Sequence, residues 1–164
     1  MQPIKLKAAG INDLDTIAAL AELIWNQHYP SIIGQKQIDY MLGKMYNKES
    51  LLEQMQIKKH RFYLIEVEGE NIGFVSVNQE EKNEWFIPKF YIDQTLAGKG
   101  YGTMVFKELL QITQADSIRL TVNRQNYKAI NFYFKLGFKI EKVADFDIGE
   151  GYVMNDFMMV WRRV

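Results

Sequence analysis

The sequence has no cysteine among its 164 residues and only two histidines, His28 and His60. The lack of cysteine excludes disulfides, thiolate metal sites and a cysteine nucleophile. Two histidines are too few for a histidine-based zinc site without carboxylates, so we expect no metal. No apolar run approaches the roughly 20 residues of a membrane span, and the opening MQPIKLKAAG has no signal-peptide core. These absences predict a cytoplasmic protein with no membrane partner.

An excess of charge of one sign is also lacking, since 20 Lys and Arg residues balance 20 Asp and Glu residues. A nucleic-acid binder that relies on phosphate contacts carries a basic excess, so we expect no nucleic-acid partner. Apolar residues make up 48% of the chain. That share is enough to build the core of one domain over residues 1–164.

The spacing of apolar residues changes along the chain and predicts an α/β fold. Alternation at Ile4–Ala8 predicts a strand, and three segments with helical spacing follow it. Alternation returns in a hairpin and a further strand, in which Pro88 predicts a bulge because proline cannot donate to a ladder. A helix, a strand, a second helix ended by Gly137 and two strands follow. The expected order is β-α-α-α-β-β-β-α-β-α-β-β, with helices flanking a mixed central sheet of about seven strands.

Three glycines, Gly98, Gly100 and Gly102, alternate with other residues just before an apolar helix. Glycine weakens regular elements, so this spacing indicates a loop whose backbone approaches a ligand. Amide groups at a helix N-terminus bind phosphate well. The segment lacks G-x-x-x-x-G-K-[ST], and Thr103 stands where a dinucleotide fold requires its third glycine. A phosphate-binding loop of another type and a merely flexible loop both stay open from this segment alone.

A second block, LTVNRQNYKAINFYFKLGF, combines a strand, an Asn-rich turn and a short helix. Together with the glycine loop it resembles the GNAT superfamily of acyl-CoA N-acyltransferases. The family's second block reads roughly L-x-V-x-x-x-N-x-x-A-I-x-F-Y-x-K-x-G-F. The matching residues are Leu120, Val122, Asn126, Ala129, Ile130, Phe132, Tyr133, Lys135, Gly137 and Phe138. The ending FDIGEGYVMNDFMM resembles, more weakly, a subgroup that includes spermidine/spermine acetyltransferases.

This resemblance implies the GNAT fold and an acetyl-CoA-dependent N-acetyltransferase that works by direct attack of an amine, without a covalent enzyme intermediate. It also implies a coenzyme A site. The expected contacts are Gly98, Lys99, Gly100, Tyr101, Gly102 and Thr103 for the pyrophosphate, Phe90, Tyr91 and Ile92 for the pantetheine arm, and Lys135 for a phosphate. Lys99 and Lys135 have solvation as their alternative role. Ala97 replaces the family's Gln or Arg, which removes one side-chain contact, and a Cβ at Gly100 or Gly102 is expected to block the phosphate path.

Two residues of the second block carry implied roles in the reaction. In the family, the residue at Asn126 contacts the cofactor arm and the one at Tyr133 protonates the departing thiolate. A phenol with a pKa of about 10 suits a thiolate of similar basicity. The alternatives are a helix N-cap for Asn126 and a core tyrosine for Tyr133. Phe86 stands where some members have a glutamate base, so the candidate proton acceptors are Glu84 and ordered water that leads to bulk solvent. A surface carboxylate is the alternative role of Glu84.

The acceptor site of the family is built from the first helices, the strand before the loop and the last hairpin. These segments offer Trp25, His28, Tyr29, Tyr40, Trp85 and Tyr152 beside Glu22, Asp147, Glu150 and Asp156. Aromatic faces and carboxylates attract a cationic amine, so the expected acceptor is a small-molecule amine, a polyamine or a peptide amine. The alternative is a non-catalytic module that binds acyl-CoA. Many relatives dimerise, so a homodimer is also expected, with the apolar strand FMMVW as a candidate contact.

Overall fold

The computed structural model of the chain describes residues 2–164. Its strands are β1 (Lys5–Ala9), β2 (Arg61–Val67), β3 (Glu70–Glu81), β4 (Glu84–Ile92), β5 (Ser117–Asn123), β6 (Lys139–Gly149) and β7 (Tyr152–Arg162). Its helices are α1 (Leu14–His28), α2 (Gln35–Met45), α3 (Lys48–Gln56), α4 (Tyr101–Thr113) and α5 (Tyr127–Leu136). Within residues 2–164, every helix is too short or too polar to span a bilayer.

The strands form one sheet in the order β1-β2-β3-β4-β5-β7-β6. Neighbouring strands are antiparallel, except for β4 and β5, which are parallel. A parallel pair needs a long crossover, and the glycine segment with α4 provides it. The predicted element order and the mixed sheet are confirmed.

The parallel pair β4 and β5 is joined over a short stretch only, from Glu84 opposite Ser117 to Phe86 opposite Arg119. Beyond Phe86, both strands continue without pairing to each other. Pairing with β3 is also irregular there, because two residues of β4 lie between partners that are separated by a single residue of β3. Those two residues are Ile87 and Pro88, so the bulge predicted from the proline is confirmed.

The helices pack on opposite faces of the sheet and bury two clusters of side chains. The cluster of α1, α2 and α3 includes Ile17, Ile24, Ile38 and Leu51. The cluster of α4 and α5 includes Val105, Leu109 and Ile130. The sheet therefore lies between two helical layers, and a gap within the sheet connects the two sides.

The bulge changes which layer the side chains of β4 face. Trp85, before the bulge, and Ile87, its first residue, belong to the cluster of α4 and α5. After the bulge, Phe90 faces α5, and Tyr91 packs against Trp25 of α1. Lys89 likewise faces the layer of α1 to α3. Without the extra residue, strand alternation would place Lys89 beside Ile87 in the opposite core.

The tip of the β6–β7 hairpin is held against α2 by hydrogen bonds to backbone oxygens. The Tyr40 hydroxyl donates to the Ile148 carbonyl at 2.7 Å, and Lys44 Nζ donates to the same oxygen at 2.6 Å. The Tyr40 ring also packs against Tyr152, with 5.3 Å between centroids. We call this contact the hairpin clasp. It fixes the last two strands beside the first helices.

Candidate functional site

A cavity of ≈ 560 Å³ lies where β4 and β5 separate. We call one part the loop end, which is lined by the segment that contains the glycine loop and by α5 with its cap. Its residues are Asp93, Gln94, Leu96, Ala97, Gly98, Gly100, Tyr101, Gly102, Thr103, Asn126, Lys128, Ala129, Phe132, Tyr133 and Lys135. The helix end is lined by Ile24, Trp25, His28, Tyr29, Ile33, Met41, Met45 and Tyr46. Strand residues 87–92 and 120–123, with Met154 and Asp156, line the remainder. The cavity thus joins the two faces of the sheet through the gap between β4 and β5.

The backbone of the glycine loop is arranged to bind an anion. Gly98 and Gly100 have φ angles of +79° and +84°, the left-handed region that glycine adopts most readily. Among residues 2–164, no backbone oxygen accepts a hydrogen bond from the amides of Gly98, Lys99 or Gly100. The N-terminus of α4 follows directly, and its first amides also lack helical partners. Free amides and the helix dipole fit the pyrophosphate that the resemblance implies here.

Gly102 lies directly against a side chain of α5, so a larger residue there would affect packing. A Cβ at this position would lie 2.8 Å from Cζ and 3.0 Å from Cε1 of Phe132 on α5. That distance is below normal van der Waals contact, so a side chain at residue 102 would push α4 and α5 apart. The structure thus gives a packing reason for glycine at residue 102, in addition to the expected effect of a Cβ on the phosphate path.

The edge of β4 offers unpaired backbone groups to the cavity. Residues after Phe86 pair with β3 on one side only, because β5 has diverged. Phe90, Tyr91 and Ile92 all line the cavity, as expected for a strand that receives an extended ligand. An extended chain can add to such an edge through main-chain hydrogen bonds. The pantetheine arm of coenzyme A, which contains amides, fits this edge.

Asn126 and Tyr133 both lie at the loop end, where their spacing on α5 places them. Asn126 caps the helix, with its Oδ1 accepting a hydrogen bond from the Ala129 amide at 3.2 Å. Tyr133 packs against Phe90 and Phe138, with 6.4 Å and 5.5 Å between ring centroids. Burial raises the pKa of Tyr133 well above its ordinary value, and no hydrogen bond from a described residue contributes to that shift. The phenol therefore stays protonated and keeps its proton available.

The helix end is aromatic. The Trp25 ring lies 4.6 Å from the Tyr29 ring and 5.8 Å from the Tyr91 ring. Burial raises the pKa of Tyr29 to about 12, and it raises the pKa values of Tyr46 and Tyr91 well above the ordinary value. These four rings form a neutral wall suited to an alkyl chain or a cation.

Two charged side chains are buried in the cavity wall, Asp156 at 1% exposure and Lys89 at 8%. Burial raises the pKa of Asp156 to about 6. Lys89 Nζ donates to Gln54 Oε1 at 2.7 Å and lies 5.4 Å from the centre of the Tyr46 ring. Burial lowers the pKa of Lys89 to about 8. The cavity therefore holds one acid and one base whose charged forms are both poorly solvated.

Four residues predicted for the site do not line the cavity. Lys99 is exposed in the loop, and Glu84 is exposed where β4 is still paired with β5. Trp85 is buried in the core, with the Arg61 guanidinium 5.4 Å from its ring. Tyr152 belongs to the hairpin clasp. The other predicted cofactor residues, together with Trp25 and Tyr29, do line the cavity.

Lys89 and Tyr46 line the cavity but were not anticipated from the sequence. The signal for Lys89 is a lone cation inside the apolar strand FIPKFYI, directly after the proline that makes the bulge. Tyr46 follows the end of α2 and carries no local signal. Of the acidic candidates for the acceptor site, Asp156 lies in the cavity wall.

Comparisons with known proteins agree with this geometry. Residues 17–138 match the sequence profile of the Acetyltransferase (GNAT) family. Over 158 residues the chain is 26% identical to a spermidine N(1)-acetyltransferase of Thermoplasma acidophilum, covering 91% of this chain and 98% of the relative. A spermine/spermidine N(1)-acetyltransferase of Bacillus subtilis is 26% identical over 126 residues, which cover 70% and 81% of the two chains.

Solved structures give the same result for the fold. The crystal structure of PaiA N-acetyltransferase from Thermoplasma acidophilum in complex with coenzyme A superposes with a TM-score of 0.82 and 25% identity, covering 98% of this chain and 99% of that one. The profile match includes more than half of the chain. The protein therefore belongs to the acetyltransferase (GNAT) family and is an acetyl-CoA-dependent acyltransferase.

Proposed function

We propose that this protein transfers the acetyl group of acetyl-CoA to the primary amine of a small molecule, with Tyr133 as the general acid. The observation that carries the proposal is the cavity between β4 and β5. It places free loop amides at one end, an aromatic wall at the other, and Tyr133 on the wall of the loop end. A donor and an acceptor can thus enter from opposite faces of the sheet and meet in the gap.

The residues at the loop end bind and orient the donor. Bound acetyl-CoA supplies an activated acyl group, a thioester carbonyl that an amine can attack. The amides of residues 98–100 and the N-terminus of α4 hold the pyrophosphate, and the unpaired edge of β4 holds the pantetheine arm. Fixing both partners in the gap removes much of the entropic cost of their encounter.

Tyr133 supplies the proton for the leaving group. The amine nitrogen forms its bond to the acetyl carbon as the carbon–sulfur bond breaks, and the sulfur takes the phenolic proton. Because burial keeps the pKa of Tyr133 high, the phenol remains protonated at neutral pH and is available to the sulfur as the carbon–sulfur bond breaks. The acylated nitrogen loses its extra proton to solvent, which leaves the neutral amide, and the phenolate regains a proton from solvent.

The proposal also specifies the chemical class of the acceptor. Aromatic rings and Asp156 in the cavity wall attract an alkylammonium group. The names of the relatives from Thermoplasma acidophilum and Bacillus subtilis make polyamines the first acceptors to test. Lys89 adds a positive charge to the same wall, which favours acceptors with few positive charges over long polycations.

The test combines binding with turnover. Calorimetric titration with acetyl-CoA, with ATP and NAD as controls, measures donor binding without any acceptor. Turnover on a panel of amines is read with a thiol reagent, and the lack of cysteine means that the protein itself gives no signal. Binding of acetyl-CoA without thiol release on any amine would identify the chain as a non-catalytic acyl-CoA-binding module.

Tyr133→Phe tests the general acid. We expect kcat to fall about 10²- to 10⁴-fold, while the Kd for acetyl-CoA stays within twofold, because the substitution removes only the hydroxyl. The matched control is Tyr127→Phe, since Tyr127 is on the same helix but is 68% exposed and lies outside the cavity wall. A kcat for Tyr133→Phe within threefold of the unchanged protein would exclude Tyr133 as the acid.

A further inference from the structure

Asp156 is a buried carboxylate, one oxygen of which has no hydrogen-bond partner among residues 2–164. It lies on β7 opposite Asn123 of β5 and Ala144 of β6, and it is 1% exposed. Its Oδ1 is buried and makes no hydrogen bond with any residue of the range 2–164. A buried polar atom without a partner costs free energy. Asp156 also lines the cavity, so a turn of its side chain can bring Oδ1 to a molecule bound there.

The charges around Asp156 do not neutralise it. The nearest cation is Arg124, whose Nη1 donates to the backbone oxygen of Asp156 at 3.0 Å and to the carboxylate of Asp145 at 2.7 Å. Arg124 is thus engaged by other acceptors. The Thr121 hydroxyl and the Arg124 charge favour the ionised form of Asp156, whereas burial and the Asp145 charge oppose it. Tyr29 faces the carboxylate from the end of α1.

A proton acceptor is what the proposed reaction still lacks. A primary amine has a pKa of about 10 and is an ammonium ion at neutral pH, so it must lose a proton before it can attack. Glu84 lies outside the cavity wall. Tyr29, Tyr46 and Tyr91 have raised pKa values and therefore remain protonated, which excludes them as bases. Lys89, whose pKa is about 8, is also mostly protonated at neutral pH.

Asp93 also lines the cavity, but its burial is outweighed by hydrogen bonds from Thr95 and Gln27, which lower its pKa and make it a poor base. The other group of the cavity wall with a pKa below neutrality is His28. Its side chain is hydrogen-bonded to Asn126, and the charge of Lys128 opposes its protonation. A neutral imidazole beside a cation does not attract an ammonium ion. A carboxylate with a free oxygen both attracts the ammonium ion and accepts its proton.

We propose that Asp156 is the general base, which takes the proton from the acceptor ammonium ion at its unpartnered Oδ1. The inference rests on the proposed function. In this step the nitrogen–hydrogen bond breaks, its electron pair stays on nitrogen, and the carboxylate becomes a carboxylic acid. The acid returns its proton to solvent after the amide product leaves. Burial places the pKa of Asp156 near 6, close enough to neutrality for a base that is ionised yet still able to accept a proton.

The pH profile distinguishes a base from a residue that only attracts charge. The probes are spermidine and propylamine, with kcat/KM measured from pH 5 to 9. For the unchanged protein we expect an acidic limb near pH 6. In Asp156→Asn the limb no longer ends near pH 6. The rate instead rises about tenfold per pH unit up to pH 9, because only amine already neutral in solution can react. At pH 7.5 we expect a loss of at least about 10²-fold.

Three further variants keep the test specific. Asp156→Glu retains a carboxylate, so we expect it to keep the acidic limb and at least a tenth of the activity. Asp145→Asn removes a charge from the same hairpin, and we expect the limb to remain but to move to lower pH. His28→Asn should leave the limb in place. Loss of the limb in His28→Asn instead of Asp156→Asn would overturn the inference.

Two readouts separate this inference from the proposed function. The Kd for acetyl-CoA should be unchanged in Asp156→Asn, because the donor site lies at the loop end. If Asp156→Asn raises only KM and keeps both kcat and the acidic limb, Asp156 is a charge contact and the inference is wrong. If the unchanged protein binds acetyl-CoA but releases no thiol with any amine, the proposed function is wrong, and the role of Asp156 as a base is then wrong too.

Discussion

Replacing Gly102 with alanine distinguishes two reasons for a glycine at the start of α4. If the residue leaves room for phosphate, the substitution weakens acetyl-CoA binding and spares stability. If it leaves room for Phe132, the substitution destabilises the fold. The added Cβ would lie 2.8 Å from Cζ of Phe132. That ring also packs against Phe90 and Tyr133, with 6.0 Å and 5.4 Å between centroids, so it cannot turn aside freely.

The expected magnitude is the difference of two opposing effects. Overpacking of this kind costs about 1–3 kcal/mol, and alanine gains about 1 kcal/mol over glycine inside a helix. The net loss is about 0–2 kcal/mol, a fall in Tm of up to about 8 °C for a chain of this size. Because the net value is small, the coupling to Phe132 is the decisive quantity. Phe132→Leu removes the clashing ring atoms, so the double variant should recover about 1–2 kcal/mol relative to the sum of the single variants.

Urea unfolding of the single and double variants measures this coupling, and calorimetry measures acetyl-CoA binding in parallel. Gly43→Ala is the matched control, since Gly43 lies inside α2 and a Cβ there meets no atom within 4 Å. It should stabilise the protein by about 0.5–1 kcal/mol. Zero coupling between residues 102 and 132, or a loss of acetyl-CoA affinity at unchanged stability, would refute the packing argument.

Two further predictions concern the buried charges. Lys89→Met should raise kcat/KM for spermidine relative to propylamine about tenfold. The reason is that a positive charge roughly 10 Å away costs a second ammonium group about 1.5 kcal/mol at an effective dielectric constant near 20. Lys89→Arg is the control, and an unchanged ratio of the two kcat/KM values in Lys89→Met contradicts the expectation. Asp156→Asn should stabilise the protein by on the order of 2 kcal/mol above pH 6 and by little below pH 4. The pKa of Asp156 in the folded protein, about 6, exceeds its value in the unfolded chain. The unchanged protein therefore loses stability as the pH rises from the unfolded pKa to the folded pKa, and the variant does not. Urea unfolding at pH 4 and pH 8 measures this difference, and equal stabilisation at both pH values would contradict it.

The parts of the fold that depend on local chemistry were predictable from the sequence. Proline lacks an amide hydrogen, so Pro88 indicated a bulge in β4, and periodicity indicated the element order. The consequence of the bulge was not predictable in the same way. One extra residue reverses strand alternation, and this reversal places Lys89 in the cavity instead of the opposite core.

The candidate site was predictable where a residue acts through its own backbone and not where it acts through a distant contact. The left-handed conformations of Gly98 and Gly100 follow from a glycine-rich turn. The role of Gly102 depends on Phe132, which is far away in sequence, and no local pattern encodes that contact. Glu84 was a candidate because it lies near Phe86, where some family members have a glutamate base. Only the pairing of β4 with β5 determines where the sheet opens, and Glu84 lies in the paired part. Asp156 was one of several acidic candidates until its burial distinguished it.

The hairpin clasp has a consequence for how this protein can change over generations. Tyr40 and Lys44 hold the hairpin through the carbonyl oxygen of Ile148, and every amino acid has that oxygen. Substitutions at residue 148 therefore leave both hydrogen bonds available. The neighbouring Gly149 is constrained, because a Cβ there would lie 2.7 Å from the Tyr40 hydroxyl oxygen and its φ is +91°. Inherited variation at the tip is thus tolerated at residue 148, whose backbone makes the contact, and is opposed at residue 149, where any side chain would displace Tyr40.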